Sequence, residues 1–202
     1  MLRSLGKAIY RVIGWRLEGE LPPLAKFVII GAPHTSTIDS VVFLAGVAAL
    51  EVDLRFMAKV EILRGPWGPI FRRFGAIAID RSRSNNVVEQ LSRAFAENER
   101  FILALGPEGT RKYRPYWKSG FYHIALAAGV PVVPIGIHFR EKRVIIGPPI
   151  DLSGDVRADM DRLRAFFAAN SSGKRDDLVS PMRLREEDEP AGPEEPGSDA
   201  AT

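Results

Sequence analysis

Short apolar runs recur along the chain with helix-patterned stretches between them, and this alternation restricts the fold more than any other feature. Phe27 to Ile30, Leu54 to Ala58, Ala76 to Ile79, Phe101 to Leu105, Val132 to Phe139 and Val144 to Ile146 have the length and residue types of buried strands. Helical patterns occupy Ser40 to Leu50, Trp67 to Phe74, Asn86 to Asn98, Ser119 to Ala128 and Val156 to Ala169. A strand, a crossover helix and a further strand build a parallel pair, so the order predicts a single α/β domain with a mostly parallel central sheet flanked by helices. With 202 residues, 46% of them hydrophobic, the chain is long enough to bury a real core and too short for two ordinary domains.

Ligands of open α/β sheets collect beyond the carboxyl ends of the strands, so the polar residues there carry the functional signal. Phe27 to Ile30 leads into Ala32-Pro33-His34-Thr35-Ser36-Thr37-Ile38-Asp39, a general base with a candidate orienting carboxylate five positions on. On one continuous helix that offset turns the side chains about 140° apart, so the chain must bend between them. Thr35, Ser36 and Thr37 are good N-cap types, which lets His34 sit in a loop while Asp39 opens the helix and reaches back. No Ser or Cys nucleophile is obviously in place, which leaves the base-and-orienter part of a triad. Taken alone, the same pair also describes a capped helix with a partnered histidine.

Two further strand ends add to it. Ala76 to Ile79 runs into Asp80-Arg81-Ser82, and Phe101 to Leu105 into Gly106-Pro107-Glu108-Gly109-Thr110-Arg111. Glycine lets a backbone approach a ligand closely, and arginine suits bidentate phosphate recognition. Each could separately be a plain turn or a surface ion pair.

Charge divides the chain. Seven acids and no base fall in residues 186–202, leaving a body of net charge +10. A basic body suits anionic partners: membrane phosphate, coenzyme A or an acidic carrier protein. Nothing matches a nucleic-acid motif, so nucleic acid is not an expected partner. The tail, spaced by Pro190, Pro193 and Pro196, is expected to be disordered. There is no cysteine, which excludes a disulfide scaffold, a zinc-thiolate site and a thiol nucleophile. The three histidines are scattered and predict no metal site; His123 and His138 lack an acid at catalytic spacing and read as structural. No run approaches the length of a membrane span. Residues 1–19 instead form a basic amphipathic segment, with Leu2, Leu5, Ile9, Val12 and Ile13 at helical spacing and Arg3, Lys7 and Arg11 four apart. That pattern suits an anchor lying on anionic lipid, and equally a helix packed on its own domain. The expected organisation is thus an amphipathic segment (1–19), a main domain (20–172), an extension (173–185) and an acidic tail (186–202).

Over about residues 20 to 147 the chain resembles the lysophosphatidic acid acyltransferases and related glycerolipid acyltransferases, which carry four blocks in fixed order. His34 through Asp39 matches the first block, and Gly75-Ala76-Ile77-Ala78-Ile79-Asp80-Arg81 is similar to the second. Pro107-Glu108-Gly109-Thr110-Arg111 matches the third, and Val130-Pro131-Val132-Val133-Pro134 looks like the fourth. Lys59-Val60-Glu61-Ile62-Leu63 resembles a segment placed before the second block. Ala78 stands where an aromatic is usual and Gly106 where Phe is common, which bears on chain or acceptor preference. The resemblance implies transfer of an acyl group from acyl-CoA or acyl-carrier protein to the free hydroxyl of a lysolipid, 1-acyl-sn-glycerol 3-phosphate above all. No tightly bound cofactor is implied. His34 would be the base, Asp39 its orienter, and Arg111, Arg81 and Lys59 the phosphate holders, with Glu108, Gly109 and Thr110 shaping the loop. For Glu108 a salt bridge to Arg111 stands beside direct substrate contact. The expected location is cytoplasmic, peripheral on the inner face of the cytoplasmic membrane. A lyso-aminolipid or glycolipid acceptor, a thioester hydrolase and a non-catalytic lipid-binding protein are the competing functions.

Overall fold

The computed structural model describes residues 2–58, 60–78 and 84–188. Seven strands form one sheet in the order β1-β7-β6-β2-β5-β3-β4. These are β1 (Arg16–Glu18), β2 (Lys26–Ala32), β3 (Arg55–Ala58), β4 (Ala76–Ala78), β5 (Phe101–Leu105), β6 (Val132–His138) and β7 (Arg143–Ile146). Every neighbouring pair is parallel except the β6–β7 hairpin. The α/β class and the mostly parallel sheet are as the alternation predicted.

Strand β2 lies at the centre, buried on both faces, which is why it reads as an unbroken apolar run. Val28 and Ile30 point to one core with Leu103, Phe95, Phe121, Leu163 and Phe167. Phe27 and Ile29 point to the other with Ile102, Val133 and Val47. Helices α5 (Ser84–Glu97), α6 (Gly120–Ala128) and α7 (Val156–Asn170) cover the first face. Helices α1 (Leu2–Ile13) and α2 (Ile38–Leu50) cover the second. They meet through small residues: a Cβ on Gly6 would lie 2.4 Å from the Ala49 nitrogen and 2.6 Å from the Ala45 carbonyl oxygen. Beside this contact Tyr10 is buried and donates its hydroxyl to the Val42 carbonyl at 3.0 Å. Helix α1 is therefore packed on the domain through Gly6 and Tyr10, while Leu5 and Val12 face outward.

Two short elements, β1 and α3 (Val60–Arg64), were not expected; α4 (Gly68–Arg73) falls where a helix was. The larger correction concerns the C-terminus. Segment 173–188, expected as an extension (173–185) and the start of a disordered tail (186–202), is tied to the body. The Lys174 N–H donates to Thr35 Oγ1 at 3.1 Å, and Ser180 Oγ accepts from the Arg114 N–H at 3.0 Å. Leu184 is fully buried in the main core. Glu186, Glu187 and Asp188 belong to a 3-10 helix (Arg185–Asp188), where Glu187 pairs with Arg164 at 2.7 Å. Long-range partners supplied by α6 and α7 order acids that composition alone reads as solvated. The acids beyond them lie outside the described residues.

Asp159 in α7 is fully buried and accepts from the Ser153 N–H at 2.9 Å, the Tyr122 hydroxyl at 2.8 Å and Arg162. Burial pushes its pKa up, but the hydrogen bonds from Ser153, Tyr122 and Arg162 together outweigh it and hold the carboxyl at about 2. A depressed carboxyl stabilises the fold above its unfolded value near 4, and that contribution disappears as pH falls toward 2. Asp159→Asn is expected to lose about 2 kcal/mol at neutral pH and to flatten the acid limb of stability against pH, measured by urea unfolding from pH 7 to 2.

Candidate active site

Strands β2 and β5 are parallel neighbours in register, Ile30 opposite Leu105, so the loops leaving their carboxyl ends stand side by side. The first turns after Ala32 through a cis peptide to Pro33 and presents His34. The second forms a tight turn in which the Gly109 N–H donates to the Gly106 carbonyl at 3.0 Å. Gly109 has φ of 63°, a left-handed conformation that favours glycine at this point of the block.

His34 Nδ1 lies 3.2 Å from Asp39 Oδ2, with Asp39 buried and the imidazole partly exposed. The bend anticipated between them is real. Its capping is different: Thr37 occupies the cap position of α2 without a side-chain cap bond. Asp39 Oδ2 itself accepts from the Ser36 N–H at 2.8 Å, and Ser36 Oγ from the Ile38 N–H at 3.2 Å. One carboxylate in the first turn of the helix thus closes the loop and holds the imidazole, where the positive end of α2 favours its charge.

Glu108 joins the two loops. Its Oε1 accepts from the His34 backbone N–H at 2.9 Å, and the side chain is 3% exposed. The expected alternative of a salt bridge to Arg111 is not formed. Arg111 instead donates to Thr37 Oγ1 at 2.9 Å, bringing its guanidinium to the entry of α2. Thr110 Oγ1 accepts from the Lys112 N–H at 3.3 Å and stabilises the turn. His34, Asp39, Glu108, Gly109, Thr110 and Arg111 are therefore brought together, whereas Lys59 and Arg81 lie outside the described residues. Burial is the main influence on Glu108 and pushes its pKa up, opposed by hydrogen bonds from backbone N–H groups and by the charge of His34. Glu108 Oε2 and Asp39 Oδ1 are buried with no hydrogen-bond partner among the described residues.

A cavity of about 1240 Å³ adjoins this pair. One part lies between α2 and the sheet and is apolar, walled by Ile29, Val42, Phe43, Val47, Leu50 and Ile146, with Tyr10 of α1 among its lining residues. Another lies on the α6 side, beside Leu105, Trp117, Phe121 and Ile124. A Cβ at Gly31 on β2 or at Gly106 just past β5 would meet nothing within 4 Å, so the carboxyl ends of these two neighbouring strands border open space. His123, read from sequence as lacking an acid, faces Glu186 at 3.3 Å. That partner comes from the distant C-terminal segment, as do the Arg185 and Glu186 walls, and no local spacing announces them.

A family model described as Acyltransferase matches residues 16–138. The chain is 25% identical over 182 residues to the 1-acyl-sn-glycerol-3-phosphate acyltransferase of Haemophilus influenzae, covering 78% of this chain and 73% of that protein. It is 28% identical over 193 residues to the human 1-acyl-sn-glycerol-3-phosphate acyltransferase alpha, covering 81% of this chain and 66% of that one. The crystal structure of PlsC, the 1-acyl-sn-glycerophosphate (LPA) acyltransferase from Thermotoga maritima, shares the fold with a TM-score of 0.57 at 18% identity, covering 83% of this chain and 76% of that one.

The Glu108 bond makes a prediction about the loop. Glu108→Ala leaves the His34 N–H without its acceptor and is expected to cost about 1–3 kcal/mol in urea unfolding. Glu108→Gln keeps an acceptor oxygen and carries no charge. Because the buried carboxyl has a raised pKa, its ionisation costs stability as pH rises through the folded value. The stability difference is therefore expected to move in favour of Glu108→Gln between pH 4 and 8.

Proposed function

The chain belongs to the acyltransferase family, and from that premise we propose that it moves an acyl group from acyl-CoA or acyl-carrier protein to the free hydroxyl of a lysophospholipid, 1-acyl-sn-glycerol 3-phosphate. The observation that carries the reading is the His34–Asp39 pair, 3.2 Å apart, set beside an apolar cavity and an arginine. With Nδ1–H held by Asp39, the imidazole keeps its Nε2 lone pair for the acceptor hydroxyl. Nε2 takes the hydroxyl proton as the oxygen attacks the thioester carbonyl. The C–O bond forms, the C–S bond breaks, and the proton passes from His34 to the departing thiolate. Asp39 stabilises the imidazolium between those steps. No acyl-enzyme is required, consistent with a site in which no Ser or Thr hydroxyl is hydrogen-bonded to His34 among the described residues.

The apolar part of the cavity suits the donor's alkyl chain, since buried walls such as Val42, Val47 and Ile146 exchange water for hydrocarbon. Arg111 suits the acceptor phosphate, with Arg81 and Lys59 as further candidates. The membrane reading rests on α1, whose outward face carries Leu5 at 53% and Val12 at 85% exposure among Arg3, Lys7 and Arg11. That face supports peripheral docking on anionic lipid at the inner side of the cytoplasmic membrane. No helix among the described residues is long and apolar enough to cross a membrane.

Thiol release from palmitoyl-CoA or palmitoyl-acyl-carrier protein is expected only when 1-acylglycerol 3-phosphate is supplied, and His34→Ala is expected to lower it about 10²- to 10⁴-fold. Release that ignores the acceptor identifies a thioester hydrolase. No release with any lysolipid panel identifies a binding protein. Arg111→Ala is expected to raise KM for the phosphorylated acceptor about tenfold and to leave KM for a monoacylglycerol unchanged; equal effects would assign the arginine another task. Deleting α1 would also remove Tyr10 from the cavity, so the anchor is tested by Leu5→Glu with Val12→Glu. This variant is expected to sediment less with phosphatidylglycerol vesicles while its unfolding midpoint stays within about 2 °C of the parent.

A further inference from the structure

The part of the cavity on the α6 side has no task in the chemistry above. Trp117 helps to wall it and is 3% exposed. At the rim stand Lys112, Lys118 and Arg185, all exposed and none within an ion pair among the described residues. Lys118 lies along the Gly109 turn, where a Cβ would come 2.9 Å from its Cε. The Arg185 guanidinium lies 5.7 Å from the centre of the Tyr116 ring, carried there by the ordered C-terminal segment. Glu186 also faces the cavity but is engaged by His123 at 3.3 Å, so it leaves the cations uncompensated.

We propose that this part of the cavity binds the phosphopantetheine portion of the acyl donor, with its phosphate at Lys112, Lys118 and Arg185 and its amide chain passing Trp117. The assignment rests on the transferase reading. A thioester donor has an alkyl end, a reacting carbonyl, two amides with carbonyl acceptors and an anionic phosphate. The cavity presents the matching series: apolar walls under α2, His34, the Trp117 wall and three cations. Arg111, turned toward Thr37, remains for the acceptor. The phosphate-bearing arm is common to coenzyme A and acyl-carrier protein.

The test compares wild type with Lys118→Ala combined with Arg185→Ala, using palmitoyl-CoA, palmitoyl-acyl-carrier protein and palmitoyl-pantetheine, which lacks the phosphate. The double variant is expected to raise KM about tenfold for both phosphate-bearing donors, by less than twofold for palmitoyl-pantetheine, and not at all for the lysolipid acceptor. A rise confined to palmitoyl-CoA would overturn the proposal by assigning the cations to the nucleotide. A rise confined to acyl-carrier protein would overturn it by assigning them to the carrier's surface. A rise in acceptor KM, or unchanged donor KM, would overturn it outright. Absence of transfer by the wild type would instead sink the transferase reading itself.

Discussion

Everything at the site depends on β2 and β5 being parallel neighbours in register. Ile30 faces Leu105 across the ladder, so the chain leaves both strands at one level and in one direction. That is what lets a carboxylate 74 residues from His34 in sequence accept the His34 backbone N–H. Without it the histidine would sit on a loop of five residues with only Asp39 to hold it. With it the imidazole is fixed at its main chain by Glu108 and at its ring by Asp39, a geometry in which neither contact alone sets the orientation.

The second constraint is the close approach of α1 to α2. Gly6 against Ala45 and Ala49 brings the helix backbones together, and Tyr10 fills the space beside them. The same helix thus serves the packing and the outward apolar face, and the two sequence-level readings of residues 1–19 describe opposite sides of one element. Burying small residues inward also explains why the apolar stripe is a poor guide to the contact: Leu5 and Val12 belong to the stripe but not to the interface.

Legibility in the sequence follows the range of the interactions. Strands β2, β5 and β6 could be read because a central strand buried on both faces is a nearly continuous apolar run. Strand β1 could not, being three residues with two charges at the sheet edge. The His34–Asp39 pairing was legible because both residues lie in one turn, whereas the Glu108 contact to a main-chain N–H has no side-chain signature. For the same reason the ordered C-terminal segment was missed: Leu184, Glu186 and Glu187 gain their partners from α6 and α7, and composition sees only acids. The cavity is likewise a product of packing, assembled from elements spread between Tyr10 and Glu186.

The central claim is that His34 acts at the junction of two cavity arms, with the alkyl chain under α2. A crystal structure of the His34→Ala variant with palmitoyl-CoA would test it most directly. The account predicts the alkyl chain between α2 and the sheet, against Val42, Val47 and Ile146, with the thioester carbonyl at position 34. An alkyl chain lying outside that space, or a thioester remote from Asp39, would contradict it.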